Sequence, residues 1–282
     1  MMNRELETQT ALTIEKLPIS LEENSGKTVN TVIHYDGRHY DLIYENVYIM
    51  PPELKKQEIL FWYDQAIQCG DPVLELCCGT GRIAIKLAEK GLQVTGIDSA
   101  QSMLVEARKK STQVEWLEAD VRKFNIDKKF SLIIFPINSI WHLSSLEALE
   151  SCFACVKKHL KPDGKFVIDA LNPCTQESIE ILCDRRSNLY SVYPDPDGKG
   201  TVVVTYSNEF DFTQQIYKQK LFFKLIGQEK ETVEEMTYRL YFPQELDALL
   251  KYNGFTIESK FGSYARTPFA SGSPQQLIVC RL

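Results

Sequence analysis

The run Val73-Leu74-Glu75-Leu76-Cys77-Cys78-Gly79-Thr80-Gly81-Arg82 constrains this chain more than any other segment. It reads as a strand, a glycine-rich turn and the start of a helix. Gly79 and Gly81 let a ligand approach the backbone where a Cβ would collide with it. Asp98 closes the next apolar run, about 20 residues further on, where an acidic side chain can hold a ribose diol. The strand–turn–helix context is what a stray pair of glycines lacks.

The rest of the first half repeats that rhythm. Strands are expected at 73–77, 93–97, 113–117, 130–135 and 165–171, and helices at 53–68, 80–90, 100–110 and 145–160. Runs such as Leu132-Ile133-Ile134-Phe135 are apolar on both faces, which implies a mostly parallel sheet covered on both sides. After Asn172-Pro173 the rhythm changes. Asp195-Pro196-Asp197-Gly198 is a turn signal, and 201–242 reads as successive strands with no helix between them. Pro243 to Tyr252 reads as a helix, and strands at 255–260 and 275–281 close the chain. The expected fold is α/β: a Rossmann-like, seven-stranded, mostly parallel sheet with an antiparallel β cap inserted after strand five. The expected divisions are an N-terminal extension or lid at 1–45, a nucleotide-binding domain at 46–173 and 243–282, and a cap at 174–242. Residues 1–30 read as loosely structured. Thr31 to Tyr40 reads as a hairpin, because Asp36-Gly37 suits a type I′ turn.

Gly79-x-Gly81-x-x-Ala84 also satisfies the dinucleotide pattern literally. Two features argue for a different ligand. Glu75 precedes the loop, Asp98 ends the second strand and Asp120 ends the third. Three carboxylates would frame the site, a poor setting for a pyrophosphate and a tolerable one for a sulfonium and an ammonium. In addition, no second mononucleotide half follows the fourth strand.

ELCCGTGRIA resembles motif I of the class I S-adenosylmethionine-dependent methyltransferases. GIDSAQSMLVEAR resembles that family's second-strand segment, EADVRKF the third, FPINSIWHL the fourth and LKPDGKFVIDALNP the fifth. The likeness covers roughly residues 40–175 and weakens toward the end. Within the class, the chain is most similar to small-molecule enzymes of the glycine and amino-sugar N-methyltransferase type, which share a cap after strand five. The resemblance implies S-adenosylmethionine as cofactor and S-adenosylhomocysteine as product. It puts Asp98 on the ribose, Asp120 on the adenine amino group and Val121 beside it. Tyr40, Glu75, Cys77, Gly79, Gly81, Ser99, Met103 and Phe135 complete the implied cofactor lining. Cys77 departs from the family, standing where the first glycine of the loop is usual.

Methyl transfer needs alignment and exclusion of water more than covalent help from the protein. The reacting residues should therefore lie past the strand ends, at the crevice mouth. Asn138, Trp141 and His142 sit just past strand four. In similar amino-sugar enzymes a histidine occupies the place of His142, which implies a proton-accepting role. A hydrogen-bonded structural histidine is the alternative. Trp141 reads as substrate wall or core. Tyr40 and Tyr44 read as part of the lid over the site or as core tyrosines. Arg82 reads as a partner for a carboxylate of cofactor or substrate, or as an exposed helix-start arginine.

Composition narrows the partners. The 282 residues carry a net charge of −6, which weakens a nucleic-acid reading, since phosphates are bound by Lys and Arg. No apolar run is long enough for a membrane span, and Met1 to Ser20 lacks the apolar core of a signal peptide. A cytoplasmic monomer or homodimer is expected. The eight cysteines show no disulfide framework. Cys152 and Cys155 lie in a helical pattern without a second ligand pair at zinc spacing, so no metal is expected. A small-molecule N- or O-methyltransferase is the leading reading. An RNA-modifying methyltransferase and a non-catalytic S-adenosylmethionine-binding module are the alternatives.

Calorimetry on the purified chain should show binding of S-adenosylhomocysteine and none of NAD. Micromolar NAD affinity with no response to S-adenosylhomocysteine would end this reading.

Overall fold

The computed structural model describes residues 32–47 and 51–282. Its centre is a seven-stranded sheet. Five strands alternate with helices: β1 (Val73–Leu76), β2 (Val94–Asp98), β3 (Glu115–Glu118), β4 (Phe130–Phe135) and β5 (Leu160–Leu171). They pair in parallel, and β1 lies between β2 and β4. The last two strands, β10 (Thr256–Phe261) and β11 (Gln275–Arg281), add antiparallel at the β5 edge. The full order is β10-β11-β5-β4-β1-β2-β3. Chain direction across the sheet reverses between β1 and β4. A ligand crevice belongs at the carboxyl ends of such strands.

Every residue of β1 and β4 is buried, as expected of strands covered on both faces. One face packs against α5 (Leu146–His159) and α7 (Pro243–Tyr252), around Leu74, Leu76, Phe153 and Leu250. The other packs against α2 (Pro52–Cys69), α3 (Arg82–Ala88) and α4 (Gln101–Lys110), around Val73, Phe61, Ile83 and Leu104. Segment boundaries agree with expectation within a few residues, except that β5 starts five residues early, at Leu160. That early part carries the register irregularity against β4.

The segment after β5 opens with an unexpected helix, α6 (Gln176–Leu182), capped by the Thr175 side chain. A separate antiparallel sheet follows, in the order β6 (Asn188–Pro194), β7 (Thr201–Asp211), β8 (Ile216–Leu225) and β9 (Glu231–Arg239). Only β7, β8 and β9 are legible as strands in the sequence. β6 is short, is bulged between Leu189 and Ser191 and ends in proline, so its alternation is broken. The inner face of this sheet buries Val204, Tyr217, Leu221 and Tyr238, together with Tyr193 and Ile43.

Ile43 follows the segment expected as a hairpin, Thr31 to Tyr40, and that expectation is corrected here. Ile33–Tyr35 is a 3-10 turn, and Gly37–Glu45 is a helix, α1. The Asp36 carboxylate accepts the Arg38 N–H at 3.0 Å. Aspartate before glycine serves a helix N-cap as readily as a hairpin turn. The loosely structured stretch expected at 1–30 lies outside the described residues.

At the start of α3, Gly81 has φ +86°, and a Cβ there would lie 2.4 Å from Cη2 of Trp116. Gly81→Ala should therefore cost a left-handed backbone penalty of about 1–2 kcal/mol plus an overpacking penalty of about 1–3 kcal/mol. Gly79→Ala, with φ +55° and nothing within 4 Å of the new Cβ, should cost the first alone. Equal melting temperatures for the two variants would contradict this account.

Candidate functional site

The turn after β1 is built from left-handed residues: Cys77, Gly79 and Gly81 have φ of +53°, +55° and +86°. Asp98, the last residue of β2, holds the turn in place. Its Oδ2 accepts the Gly79 N–H at 2.8 Å, and its Oδ1 accepts the Ala100 N–H at 2.8 Å. Burial raises the Asp98 pKa, against the pull of these backbone donors. Each carboxylate oxygen has two lone pairs, so capacity remains for a diol. Cys77 adopts a conformation that costs a non-glycine residue about 1–2 kcal/mol, which accounts for the usual glycine at this position.

A pocket opens between this turn and the end of β4. Glu75, Cys77, Gly79 and Arg82 line one side, Pro136 and Ile137 the other, and Tyr40 of α1 closes it. Glu75 lies within β1, and its Oε2 is buried without a hydrogen-bond partner. Burial pushes its pKa up to about 8. Arg82 is not the exposed helix-start residue that was one reading. Its guanidinium makes a two-pronged pair with the fully buried Glu58, at 2.7 and 2.8 Å, and stands 4.6 Å from the Tyr44 ring centroid. Burial opposes the Arg82 charge, but Glu58 outweighs it and the pKa is raised.

Helix α1 and the turn before it dock beside the same turn. The Thr80 hydroxyl donates to Asp41 at 2.6 Å, and Lys110 pairs with Asp41 at 2.5 Å. The Ser102 hydroxyl donates to the Tyr35 carbonyl. Tyr40 and Asp41, one turn into α1, are thereby set over the glycine loop.

Past β4, Ile137 and Asn138 are left-handed, with φ of +45° and +57°. Asp169 of β5 stabilises this bend. Its carboxylate accepts the Ile137 N–H at 3.1 Å and the Tyr264 hydroxyl at 2.8 Å, and its carbonyl accepts the Asn138 N–H at 3.0 Å. Burial pushes the Asp169 pKa up to about 7. The Asn138 side-chain oxygen accepts the Leu171 N–H at 2.6 Å. Asn138 thus shapes the bend and carries the 3-10 turn Ser139–His142 out over the crevice. His142 is exposed along part of its surface, while its ring lies 5.1 Å from that of Tyr238 and 6.1 Å from that of Tyr35. Packing among those rings desolvates the imidazole and lowers its pKa. Trp141 packs against Tyr217 and Tyr238, with its Nε1 buried and unpartnered.

Three expected positions need correction. The strand-end frame of carboxylates is looser than expected, because Glu75 sits inside β1 and Asp120 lies two residues past β3. Asp120 is also gripped by Arg122 at 2.6 Å, which lowers its pKa. Phe135 is fully buried in the core rather than lining the pocket. Met103, in the first turn of α4, and Val121, in the turn beyond β3, are buried, and Ser99 is exposed. The sequence reading missed Asp41, Thr80, Glu58 and Asp169. Asp169 had a signal, a lone acid within an apolar strand; the others depend on partners far away in the chain.

These residues fit a cofactor bearing a ribose and an ammonium. Asp98 presents half-buried acceptors beside a turn open to backbone approach, and Glu75 presents a buried oxygen with no partner in the protein. Among the described residues, no group of three or more His, Cys, Asp or Glu side chains is placed to hold a metal ion.

Residues 73–164 match the family described as a methyltransferase domain. A cypemycin N-terminal methyltransferase of a Streptomyces species is 27% identical over 214 residues, which is 74% of this chain and 82% of that protein. A dTDP-3-amino-3,4,6-trideoxy-alpha-D-glucopyranose N,N-dimethyltransferase of Streptomyces venezuelae is 28% identical over 97 residues, 34% of this chain and 41% of that protein. The solved structure of the CcbJ methyltransferase from Streptomyces caelestis matches with a TM-score of 0.68 at 24% identity, covering 83% of this chain and 97% of that one. At that identity the likeness is one of fold.

Glu75→Gln should reveal the cost of the buried acid. A raised pKa means the neutral form stabilises the fold. That contribution is full below the usual 4.5 and is lost as pH rises through about 8. The ligand-free variant should match wild type near pH 4.5 and exceed it by roughly 1–3 kcal/mol near pH 9. It should also bind S-adenosylhomocysteine more weakly. A constant stability difference across that range would refute the assignment.

Proposed function

We propose that this chain, an S-adenosylmethionine-dependent methyltransferase with the class I domain at its centre, methylates an amine nitrogen of a small molecule. The carrying observation is the pocket at the β1–β4 reversal. There the left-handed turn, held from behind by the Asp98 carboxylate, lines one space with Glu75, whose Oε2 has no partner. When bound, the cofactor supplies a methyl group already activated on a sulfonium.

The chain's own residues then have four tasks. Asp98 holds the ribose hydroxyls, and Glu75 receives the ammonium, ionising as it does so. Asp120 and Val121, beyond β3, take the adenine end. Tyr40 and Tyr44 of the lid, with Arg82 held between Glu58 and Tyr44, close the methionine end and exclude water. We assign 46–173 and 243–282 to the cofactor domain, 174–242 to the acceptor cap and the segment up to 45 to the lid.

The amine assignment draws on two relatives named for nitrogen acceptors and on the surroundings of His142. A lowered pKa keeps that imidazole neutral at pH 7, able to take a proton from the acceptor nitrogen as the new bond forms. Trp141 and Tyr238 would wall the acceptor. No helix among the described residues is long and apolar enough to cross a membrane. All eight cysteines stand as free thiols, which suits a reducing compartment such as the cytoplasm.

His142→Ala should lower turnover about 10²–10⁴-fold if the acceptor must lose a proton in the rate-limiting step, with S-adenosylhomocysteine affinity unchanged. The wild-type pH–rate profile should show a limb below the usual 6.5, and the variant should lack it. Unchanged turnover on every amine tested would remove His142 from the reaction.

A further inference from the structure

Two buried ring nitrogens without partners belong to the ring cluster that contains His142. One is Nε1 of Trp141; the other is Nδ1 of His34, in the 3-10 turn ahead of α1. The His34 ring lies 5.1 Å from that of Tyr35, which in turn lies 6.1 Å from that of His142. On the other side, His142 lies 5.1 Å from Tyr238, and Tyr238 lies 6.1 Å from Trp141. The His34 ring also stands 6.0 Å from Tyr40, which lines the cofactor pocket. A lone orphan of this kind destabilises a fold. Two of them in one ring cluster with the candidate base point to a ligand with polar groups for each.

The backbone holds His34 in this place. Glu234, on β9 of the cap, accepts the Ile33 N–H at 2.5 Å and the His34 N–H at 3.1 Å. These are donors at the start of a helical turn, which has no partners of its own for them. Burial, and then the neighbouring His142, hold the His34 pKa down to about 4, so the ring is neutral. A neutral imidazole nitrogen either accepts or donates, according to its tautomer, whereas an indole N–H only donates. A hydroxyl, which both donates and accepts, suits either one.

We propose that His34 is an acceptor-binding residue carried by the lid, and that it and Trp141 anchor hydroxyl oxygens of the molecule whose nitrogen faces His142. Glu234 is the positioning residue that fixes His34 from the cap. The lid then serves both ligands: Tyr40 and Asp41 address the cofactor loop, and His34 addresses the acceptor. This rests on the amine-methyltransferase reading above.

The full chain and its His34→Phe, His34→Asn and Trp141→Phe variants would be assayed for methyl transfer to ethanolamine, serinol and glucosamine. Melting and S-adenosylhomocysteine binding would be measured alongside. His34→Phe keeps a ring and removes the nitrogens. It should raise the acceptor KM about tenfold, the loss of one hydrogen bond, and leave S-adenosylhomocysteine affinity within about twofold. Its melting temperature should equal or exceed that of wild type, because an orphan has been removed. His34→Asn, with a polar atom near the place of Nδ1, should recover part of the lost KM. Trp141→Phe should raise KM similarly. Wild-type turnover with an unchanged KM in His34→Phe would overturn this proposal alone. So would a lower melting temperature in that variant, which would show that the nitrogen is already satisfied in the fold. No transfer by wild type to any of the three amines would overturn both this proposal and the reading beneath it.

Discussion

The hydrogen bond from the Gly79 N–H to the Asp98 carboxylate joins the two strands on which everything else depends. It links the end of β2 to the turn after β1 and holds that turn in a left-handed path. The same carboxylate caps the entry to α4 through Ala100. One buried acid thus sets the shape of the loop, the start of the next helix and a polar edge for a ligand. Asp169 plays a matching part on the far side of the crevice, where it supports the Ile137–Asn138 bend. Two acids on two strands therefore shape the two lips of one pocket.

Burying acids is expensive, and the fold answers in different ways. Glu58 has Arg82, and Asp98 and Asp169 have backbone and hydroxyl donors. Glu75 keeps one oxygen without a partner, beside the pocket. An unsatisfied buried oxygen weakens the ligand-free protein and, in the function proposed, strengthens its grip on the cofactor's ammonium. Stability is given up where binding needs it.

The lid makes sense only in this setting. A nine-residue helix is too short to persist alone. α1 is held on one side by Thr80, Ser102 and Lys110, and on the other by the cap, through His39 with Tyr193 and Arg38 with Asp197. Because one short element would bridge both proposed ligand sites, anything that orders it at one is expected to favour the other.

By itself, the sequence determined the strand–turn–helix unit, the acids at Glu75 and Asp98, the alternation that makes a parallel sheet and the change of rhythm that makes a second one. Those are local properties: side-chain period, glycine at a tight turn, and an acid where an apolar run ends. Only the tertiary structure decided the rest. Asp36-Gly37 became a helix start, because a helix there can bury Ile43 in the cap and a hairpin would leave those contacts unmade. Arg82 was drawn inward by Glu58, 24 residues away in the chain. Asp120 was taken up by its own neighbour Arg122. His34 gained its place from Glu234, 200 residues further on. Partners as far apart as Arg82 and Glu58, or His34 and Glu234, leave no trace in local pattern. They are chosen by which buried charges and backbone groups must find one another when the chain closes.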